Sequence, residues 1–421
     1  MKHVIGKQVI QLQVGTDQDA FLLQNQFSKM YWEDLVPAME KLFDELTDGD
    51  EYIAIDKLEI DLGVLTTMEL RKEIILPILR QEMKKWFQRN KTQTTNIERT
   101  SIQQSVFEKW IFFLTKGYLP WSISHFPENW TTSVLDNLAS NVHAINRLQK
   151  ELSHSIFARK RLVQQHDAEF LQHVIEAFTA KNQAELIPFL ETLASEETKE
   201  SFWDFAIEKT IVKQNKIEDL KLLQAYKDIV KIDSKKEKSL AKIDILQEEE
   251  TTISKEGIFI QNAGIVLLHP FLTRFFKRCD LLVGNEFKDH EAVSKAIHLL
   301  HYMATDTEEP NEHDLSLLKF LCGIPFNIPI KKYLQLSAEE KEEADALLQV
   351  VIEHWGALGA VSNASLQETF LQRDGKLYQT QNGWRLQIEK KTLDILLNQL
   401  PWNISIVKLQ WMKEFVTIDW I

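Results

Sequence analysis

Three carboxylates lie close together in the stretch EYIAIDKLEIDLG, at 51–63: Asp56, Glu59 and Asp61. Paired acids can do general acid and base chemistry where apolar enclosure or a neighbouring like charge raises the pKa of one carboxyl. The stretch has no histidine and no pocket-forming turn beside it. Its alternation of apolar and polar residues predicts instead that Glu59 and Asp61 point outward together, so we interpret the acids as a solvated face.

The alternation changes phase at Asp56. Apolar residues occupy odd positions before it and even positions after it, as far as Leu62. One regular strand would therefore bury the Asp56 carboxylate on an apolar face, which is costly without a partner. We predict a bulge or tight turn at Asp56–Lys57, because one extra residue restores the phase, and an end of the element at Gly63.

The histidine pair in AIHLLHYM is a second candidate for chemistry. His298 and His301 lie three residues apart on one face of a helix. Together with His269, His290 or His313 they would supply the donors of a zinc site. The spacing differs from HExxH and no glutamate lies between the pair. We interpret the two residues as a partly buried, hydrogen-bonded pair and keep zinc as the alternative.

The two cysteines, Cys279 and Cys322, lie in the apolar stretches FFKRCDLL and KFLCGIPF, outside any CxxC pair. We interpret them as buried structural thiols. The sequence also contains no GxGxxG or P-loop motif for phosphate and no GxSxG nucleophile elbow. We therefore predict no cofactor, no metal and no enzymatic activity.

Tryptophans form a third group of candidates, because the chain contains 11 of them. LPW occurs at 119–121 and again at 400–402, and LQWM occurs at 409–412. Large aromatic side chains at segment ends can anchor a partner protein, and they can also fill the corners of a domain core. The candidates for protein interaction are Trp121, Trp402, Trp411 and Trp420.

The composition limits the kind of protein that positions these residues. The 421 residues are 44% hydrophobic, enough for the cores of two or three domains. Glycine and proline number only 13 and 10, which argues against a large all-β protein with frequent turns. The N-terminus lacks a signal-peptide core and no apolar window is long enough for a transmembrane helix, so we expect a cytoplasmic protein.

The net charge is −13 and the pI is about 5.5. Such a chain has no general electrostatic attraction to nucleic acid or to anionic lipid. Lys84, Lys85 and Arg89 form a local basic group, which we interpret as a solvated helix face. We therefore expect no nucleic-acid partner.

Periodicity predicts a strand–helix–strand–helix module over 1–90. Residues 8–14 alternate as a half-buried strand. Helical spacing follows from 19 to 46, with a kink or an end at Pro37. The acid stretch supplies the second strand and a second helix follows it. The N-cap candidates of the first helix are Asp17 and Asp19.

The complete chain is predicted to be mainly α with small β elements (α+β). After the module come a polar linker at 91–104, a helical middle region at 105–232, a charged linker or solvated helix at 233–257, and an α+β domain at 258–421. WRLQIEK, SIVKLQWM and FVTIDWI read as strands of this last domain. Its helical periodicity covers 263–279, 289–304, 312–322 and 337–358.

Eight blocks follow one another along the chain in a characteristic order. They are IDKLEIDLG (55–63), FLTKGYLPW (113–121), RKRLVQQ (159–165), NAGIVLLHPFLTRFF (262–276), KAIHLLHYMATDTEEPNEHDLSLLKFLCGIPFNIPI (295–330), VIEHWGALGAVSNASLQETFLQRDGKL (351–377), WRLQIE (384–389) and LPWNISIVKLQWM (400–412). In this order they resemble the tape measure proteins of phage-tail-like contractile injection systems. The resemblance spans most of the chain and is strongest from residue 262 onward.

The resemblance implies a structural protein of tail assembly, with tube, hub or baseplate proteins as partners and an oligomer as one option. The family motifs carry no catalytic residues to transfer. A tape measure is thought to sit on the baseplate and hub and to run inside the growing inner tube, whose length it limits. A place inside the contractile tail particle follows from this role.

The ruler role meets one difficulty in the length of the chain. Residues 91–257, even drawn out as one helix, would reach only about 250 Å. The resemblance therefore leaves two roles open in one system: a tape measure that sets or templates tube length from the baseplate, and an assembly or capping factor of the baseplate or tube. An effector enzyme carried by the same system is the alternative of a different class.

Overall fold

The computed structural model describes residues 3, 5, 8–14, 20–46, 51–64, 71–90, 97–123, 126–213, 219–233 and 256–420. The chain divides into two compact units, called unit 1 (Met1–Val106) and unit 2 (Phe107–Ile421) below. Within the described residues helices predominate and the strands are short, which confirms the predicted class of mainly α with small β elements. The finer division into five segments stays a prediction.

Unit 1 is built on helices that each bury one apolar stripe. α1 (Ala20–Met30) leads through a π-helical turn into α2 (Val36–Leu46), and α3 (Lys72–Arg89) packs against them. The buried residues recur at spacings of three, four or eight, which keeps them on one face of each helix. They are Phe27, Leu35, Met39, Leu42, Ile75, Leu79 and Met83.

The interruption predicted at Pro37 takes the form of a π turn. In this turn, Tyr31–Leu35, the amide of Val36 donates to the carbonyl of Tyr31, five residues earlier. Pro37 follows at once and has no amide hydrogen for a bond to the carbonyl four residues back. The wider turn accommodates the missing donor, so the apolar stripe continues from α1 into α2.

The small sheet of unit 1 joins segments that are distant in sequence. β1 (Glu51–Ile55) pairs antiparallel with β2 (Ile97–Ser101), with Tyr52 opposite Thr100. The second half of the predicted polar linker at 91–104 therefore contains a strand, followed by the first residues of a helix. Its sequence, IERTS, shows no apolar alternation, and its partner lies more than 40 residues earlier.

The strand predicted over 8–14 is wrong. The segment is irregular in the structure, and Ile10, Leu12 and Val14 are 41–42% exposed. An alternating segment becomes a strand only when a neighbour supplies the hydrogen bonds, and no described strand pairs with this one. Outside the described residues lie the predicted N-caps Asp17 and Asp19 and nearly all of the charged segment 233–257.

The first part of unit 2 is a set of short packed helices, called the helical region (residues 107–213). Four of the helices begin where a polar side chain accepts a bond from a backbone amide two or three residues later: Asn141, Ser155, Asp167 and Ser195. The first helix, α4 (Ile102–Lys116), begins just before this region, and α11 (Asp219–Asp233) follows it. The helices between them are α5 (Trp130–Ser140), α6 (Val142–His154), α7 (Ile156–Gln165), α8 (Ala168–Thr179), α9 (Leu186–Glu191) and α10 (Glu196–Ile207).

The second part of unit 2 is an α+β arrangement, called the C-terminal region (residues 256–420). Its helices are α12 (His269–Arg278), α13 (His290–Thr305), α14 (Ser316–Leu321), α15 (Ala338–His354) and α16 (Asn363–Leu366). With their flanking 3-10 turns, the first four agree with the predicted helical segments to within one residue at each end. No helix of the described residues is long and apolar enough to cross a membrane.

A five-stranded sheet forms the β part of the C-terminal region. The strand order is β3-β6-β7-β9-β8, and all neighbours are antiparallel except β7 and β9. A separate two-stranded hairpin, β4 with β5, follows α12. The strands are β3 (Ile258–Ile260), β4 (Leu282–Val283), β5 (Glu286–Phe287), β6 (Gly375–Thr380), β7 (Gly383–Ile388), β8 (Ile406–Val407) and β9 (Val416–Asp419).

Candidate functional site

Three charged side chains from distant parts of the sequence meet inside unit 2 and form a group called the charge cluster below. Arg161 comes from α7, Glu312 from a 3-10 turn before α14, and Lys319 from α14 itself. Glu312 Oε2 lies 3.0 Å from Arg161 Nε, and Glu312 Oε1 lies 2.6 Å from Lys319 Nζ. All three side chains are 0% exposed. Since buried charges require close pairing, these contacts fix where α7 meets the C-terminal region.

The cluster holds two positive charges against one negative charge, so its cations need further acceptors. Arg161 donates to the carbonyl of Leu114, at the end of α4, and at 2.8 Å to the carbonyl of Asn327. Gly117 makes room for this arginine, because a Cβ there would lie 2.6 Å from Arg161 Nη2, and its φ of +78° also favours glycine. The guanidinium therefore ties α4, α7 and the loop after α14 together.

Lys319 makes similar contacts on the other side of Glu312. Its Nζ donates to the carbonyls of Phe326 at 3.0 Å and Ile328 at 2.8 Å. Burial lowers the pKa of Lys319 to about 8; the charge of Glu312 opposes this shift and that of Arg161 adds to it. The ammonium group stays charged at neutral pH, with three acceptors for its three protons.

Backbone atoms make a second junction between the helical region and the C-terminal region. Pro120 forms an isolated antiparallel bridge with Ile258 of β3. The amide of Phe259 donates to the carbonyl of Leu119 at 3.1 Å, and the amide of Trp121 donates at 3.0 Å to the carbonyl just before β3. This short segment after α4 therefore lies along the edge of the five-stranded sheet.

The arrangement of these groups suits a structural role within unit 2. The charged atoms are enclosed on all sides, so a substrate has no access to them. The bonds run between α4, α7, the loop after α14 and β3, which are separated widely in sequence. The charge cluster and the backbone junction therefore hold the helical region and the C-terminal region in one arrangement.

The four tryptophans predicted as interaction candidates all belong to unit 2 and contact other residues of it. Trp420 is 1% exposed and its indole N–H donates to the carboxylate of Asp394 at 3.1 Å, so it offers no surface to a partner. Trp402 and Trp411 are half-buried and donate to backbone carbonyls, at 3.1 Å and 2.8 Å. Trp121 is half-buried beside β3. These contacts favour the alternative that the rings fill corners of the core, and their role in binding stays a prediction.

The two candidate zinc histidines lie on α13 and are bonded to near neighbours. His298 Nδ1 is 2.9 Å from the carbonyl of Ser294, and His301 Nε2 is 3.1 Å from the hydroxyls of Thr305 and Thr307. Burial lowers the pKa of both rings, that of His301 to about 4. Within the described ranges no three or more histidine, cysteine, aspartate or glutamate side chains are placed so that they could hold a metal ion together.

The first five residues of the acid stretch form β1, which ends at Ile55. The chain bends at Asp56, where the phase change predicted a turn. Asp56, Glu59 and Asp61 are exposed, and the apolar residues after Asp56 are half-buried against the core of unit 1. The residues after the bend form no strand, which differs from the predicted element. Asp61 instead accepts a bond from the amide of Gly63 at 2.9 Å, which closes a local turn.

The cysteines are enclosed to different degrees, and both thiols are free of disulfides. Cys322 is buried, and burial raises its pKa. Cys279 is half-buried, and burial together with nearby Glu340 and Glu343 raises its pKa to about 12. Both thiols are therefore protonated at neutral pH, as structural cysteines are.

The charge cluster was not predicted from the sequence, although one signal for it exists. Lys319 lies within the apolar run LLKFL, whereas Arg161 follows two other basic residues in RKRLVQQ and does not stand out. A lone charge inside an apolar run indicates a buried, paired group. The partner is not readable in this way, because 151 residues separate Arg161 from Glu312.

A protein-family model matches almost the whole chain. The model described as contractile injection system tape measure protein matches residues 2–251 and 231–420. No curated protein and no solved structure was found to match. The match confirms the resemblance seen in the ordered sequence blocks. The chain, held together in unit 2 by buried charges and a shared sheet edge, belongs to the family of contractile injection system tape measure proteins.

Proposed function

We propose that the chain takes part in building the inner tube of a contractile tail by docking, through folded units, on tube, hub or baseplate proteins. Membership of a family of structural tape measure proteins supports a structural role in such a tail. The observation that carries the docking role is the charge cluster of Arg161, Glu312 and Lys319, because it makes the helical region part of a folded unit.

A ruler that works as an extended helix gains about 1.5 Å per residue. The α-helices of the helical region are short: α6, which lies wholly within it, has 13 residues and so spans about 20 Å. Extending the helical region into one long helix would move α7 away from the C-terminal region. The ion pair between Arg161 and Glu312 would then be broken. Breaking a buried ion pair costs several kcal/mol, so folded docking is favoured over stretching.

The second candidate is a tape measure that sets or templates the tube length from the baseplate. The family match favours this role directly. In this case the length-setting segment would lie outside the packed helical region, for example in the charged stretch 234–255. The protein would act inside the tail particle.

Two changes in bacteria that make the particles distinguish the candidates. Deletion of the gene should give missing or wrongly sized particles in electron micrographs, and normal particles would contradict both roles. Insertion of about 40 helix-forming residues into 234–255 should leave the tube length unchanged if the chain works by docking. An extended-helix ruler would lengthen the tube by about 60 Å. A Gly/Ser insertion of equal length at the same point controls for damage to the fold.

A further inference from the structure

A cavity of about 300 Å³ opens on unit 2 between α7, α8, α9 and α10 and the loop after α14. This volume lies at the small end of ligand pockets and suits one long side chain better than a cofactor. The deeper part of the cavity is apolar, formed by buried Val163, Leu190 and Trp203. Tyr333 stands at one side with 61% of its surface exposed.

The rim of the cavity carries four carboxylates, those of Asp167, Glu191, Glu196 and Glu200. Three of them are engaged within the chain. Asp167 caps α8, Glu196 lies 2.7 Å from Lys199 Nζ, and Glu200 lies 3.9 Å from Lys331 Nζ. Lys199 itself lines the cavity, so the lining carries one cation against four carboxylates and remains acidic.

Glu191 differs from the other three carboxylates. It is the last residue of α9 and is exposed, and within the described parts of the chain no cation lies within the 4.0 Å of an ion pair. A carboxylate beside an apolar cavity attracts a group that combines a positive charge with an apolar stem. A long basic side chain has this combination.

We propose that this cavity receives an arginine side chain from an exposed segment of a partner protein. The aliphatic stem would cover Leu190 and Trp203, and the guanidinium would bind Glu191 at the rim. Arginine fits better than lysine, because its planar group binds carboxylates through two parallel bonds and stacks on aromatic rings. Lys332 Nζ already lies 5.5 Å from the centroid of the Tyr333 ring, so the guanidinium is directed to the α9 side. The inference rests on the chemistry of the cavity and does not depend on the tail-assembly role.

The test uses the full chain and a fluorescein-labelled octapeptide with one central arginine among glycine and serine residues. Fluorescence polarisation measures its binding, and a second peptide carries citrulline in place of arginine. Citrulline keeps the shape and removes the charge. We expect the arginine peptide to bind at least about fivefold more tightly than the citrulline peptide, as for one partly exposed ion pair.

Two variants with the same change in net charge provide the matched comparison. Glu191→Gln should weaken binding of the arginine peptide about fivefold, whereas Glu185→Gln, at the other end of α9 and outside the cavity, should leave it unchanged. Equal weakening by both variants would mean general attraction to an acidic chain and would overturn the proposal. Equal binding of the two peptides, unchanged binding after Glu191→Gln, or no binding of the arginine peptide would overturn it too.

Discussion

Charged side chains serve different purposes in the two units. In unit 1, Lys72 Nζ lies 3.0 Å from Asp34 Oδ1, with the side chains 52% and 26% exposed. In unit 2, Arg161, Glu312 and Lys319 form their pairs at 0% exposure. Water and salt screen the exposed pair, so it contributes little, whereas a stranded charge in the interior is severely destabilising. Unit 1 therefore depends on its apolar stripes, and unit 2 depends on its charges as well.

The difference also determines which changes each unit tolerates. An apolar stripe accepts replacements of similar volume, because its contribution is spread over many small contacts. A buried charge cluster accepts no single replacement of this kind, because each member compensates the others. Replacements can therefore test whether the two units differ as described.

The largest effect is expected from Glu312→Gln. The variant keeps the shape of the side chain but leaves Arg161 and Lys319 buried without a counter-charge, at a cost of about 3–5 kcal/mol. Urea unfolding measures the loss, and hydrogen exchange of peptides from each unit assigns it to unit 2. Glu45→Gln, at an exposed pair with Arg80 in unit 1, is the control. A loss no greater than that of the control would contradict the comparison.

A triple replacement tests whether the three members of the charge cluster compensate one another. Arg161→Met, Glu312→Leu and Lys319→Met together remove every charge of the cluster, so no ion is left stranded. We expect the triple variant to regain most of the stability lost by Glu312→Gln, although not all, because four backbone carbonyls lose their donors. Urea unfolding midpoints compare the two proteins. If the triple variant were the less stable one, mutual compensation would be the wrong explanation.

The next largest effect is expected from acid, which should destabilise unit 2 more than unit 1. Burial lowers the pKa of His166 and His301, both in unit 2, to about 4. Below the unfolded value of 6.5 the unfolded chain binds protons that the folded chain does not, so the free energy of unfolding falls as the pH drops from 6.5 to about 4. The loss is about 2 kcal/mol for each histidine at pH 5.

Hydrogen exchange at pH 7.5 and pH 5, corrected for the intrinsic exchange rate, measures this loss in each unit. Unit 1 contains a single histidine, His3, and serves as the internal control. We expect acid to raise the opening of unit 2 much more than that of unit 1. Equal changes in the two units would rule out the buried rings as the cause.

The smallest effect is expected from Lys72→Met in unit 1. The hydrogen bond with Asp34 raises the pKa of Lys72, but the pair stands in water, where screening reduces its contribution. We expect the thermal midpoint to stay within the error of calorimetry. Wild-type protein at low and high salt should likewise show little change in unit 1. A shift as large as that of Glu312→Gln would mean that exposed pairs matter here as much as buried ones.

Much of the helical structure was predictable because it is local. α15 buries Ala344, Leu347, Leu348, Val351 and Ile352, and this spacing of three and four is visible in the sequence without knowledge of the partner. The exposed side of the acid stretch was predictable for a similar reason: Glu59 and Asp61 alternate with leucine and isoleucine. The family was recognisable because its blocks keep their order along the whole chain.

The remaining features depend on pairing between distant segments. β2 is a strand because β1 supplies its hydrogen bonds, whereas residues 8–14 have the alternation of a strand and no described partner. β3 and β6 were missed because one is three residues long and the other is largely polar. Arg161 gives the same lesson for charge, since the burial that determines its role depends on a carboxylate 151 residues away.

The segment after α4 that lies along β3 has a consequence for self-association. A bare outer strand presents unpaired amides and carbonyls to which another molecule can add, and crowding makes such pairing more frequent. Pro120 occupies this place from within the chain and has no amide to offer. At the opposite end of the sheet β8 is only two residues long, too short to template a neighbour. Addition of a strand from another molecule is therefore disfavoured at both edges of this sheet.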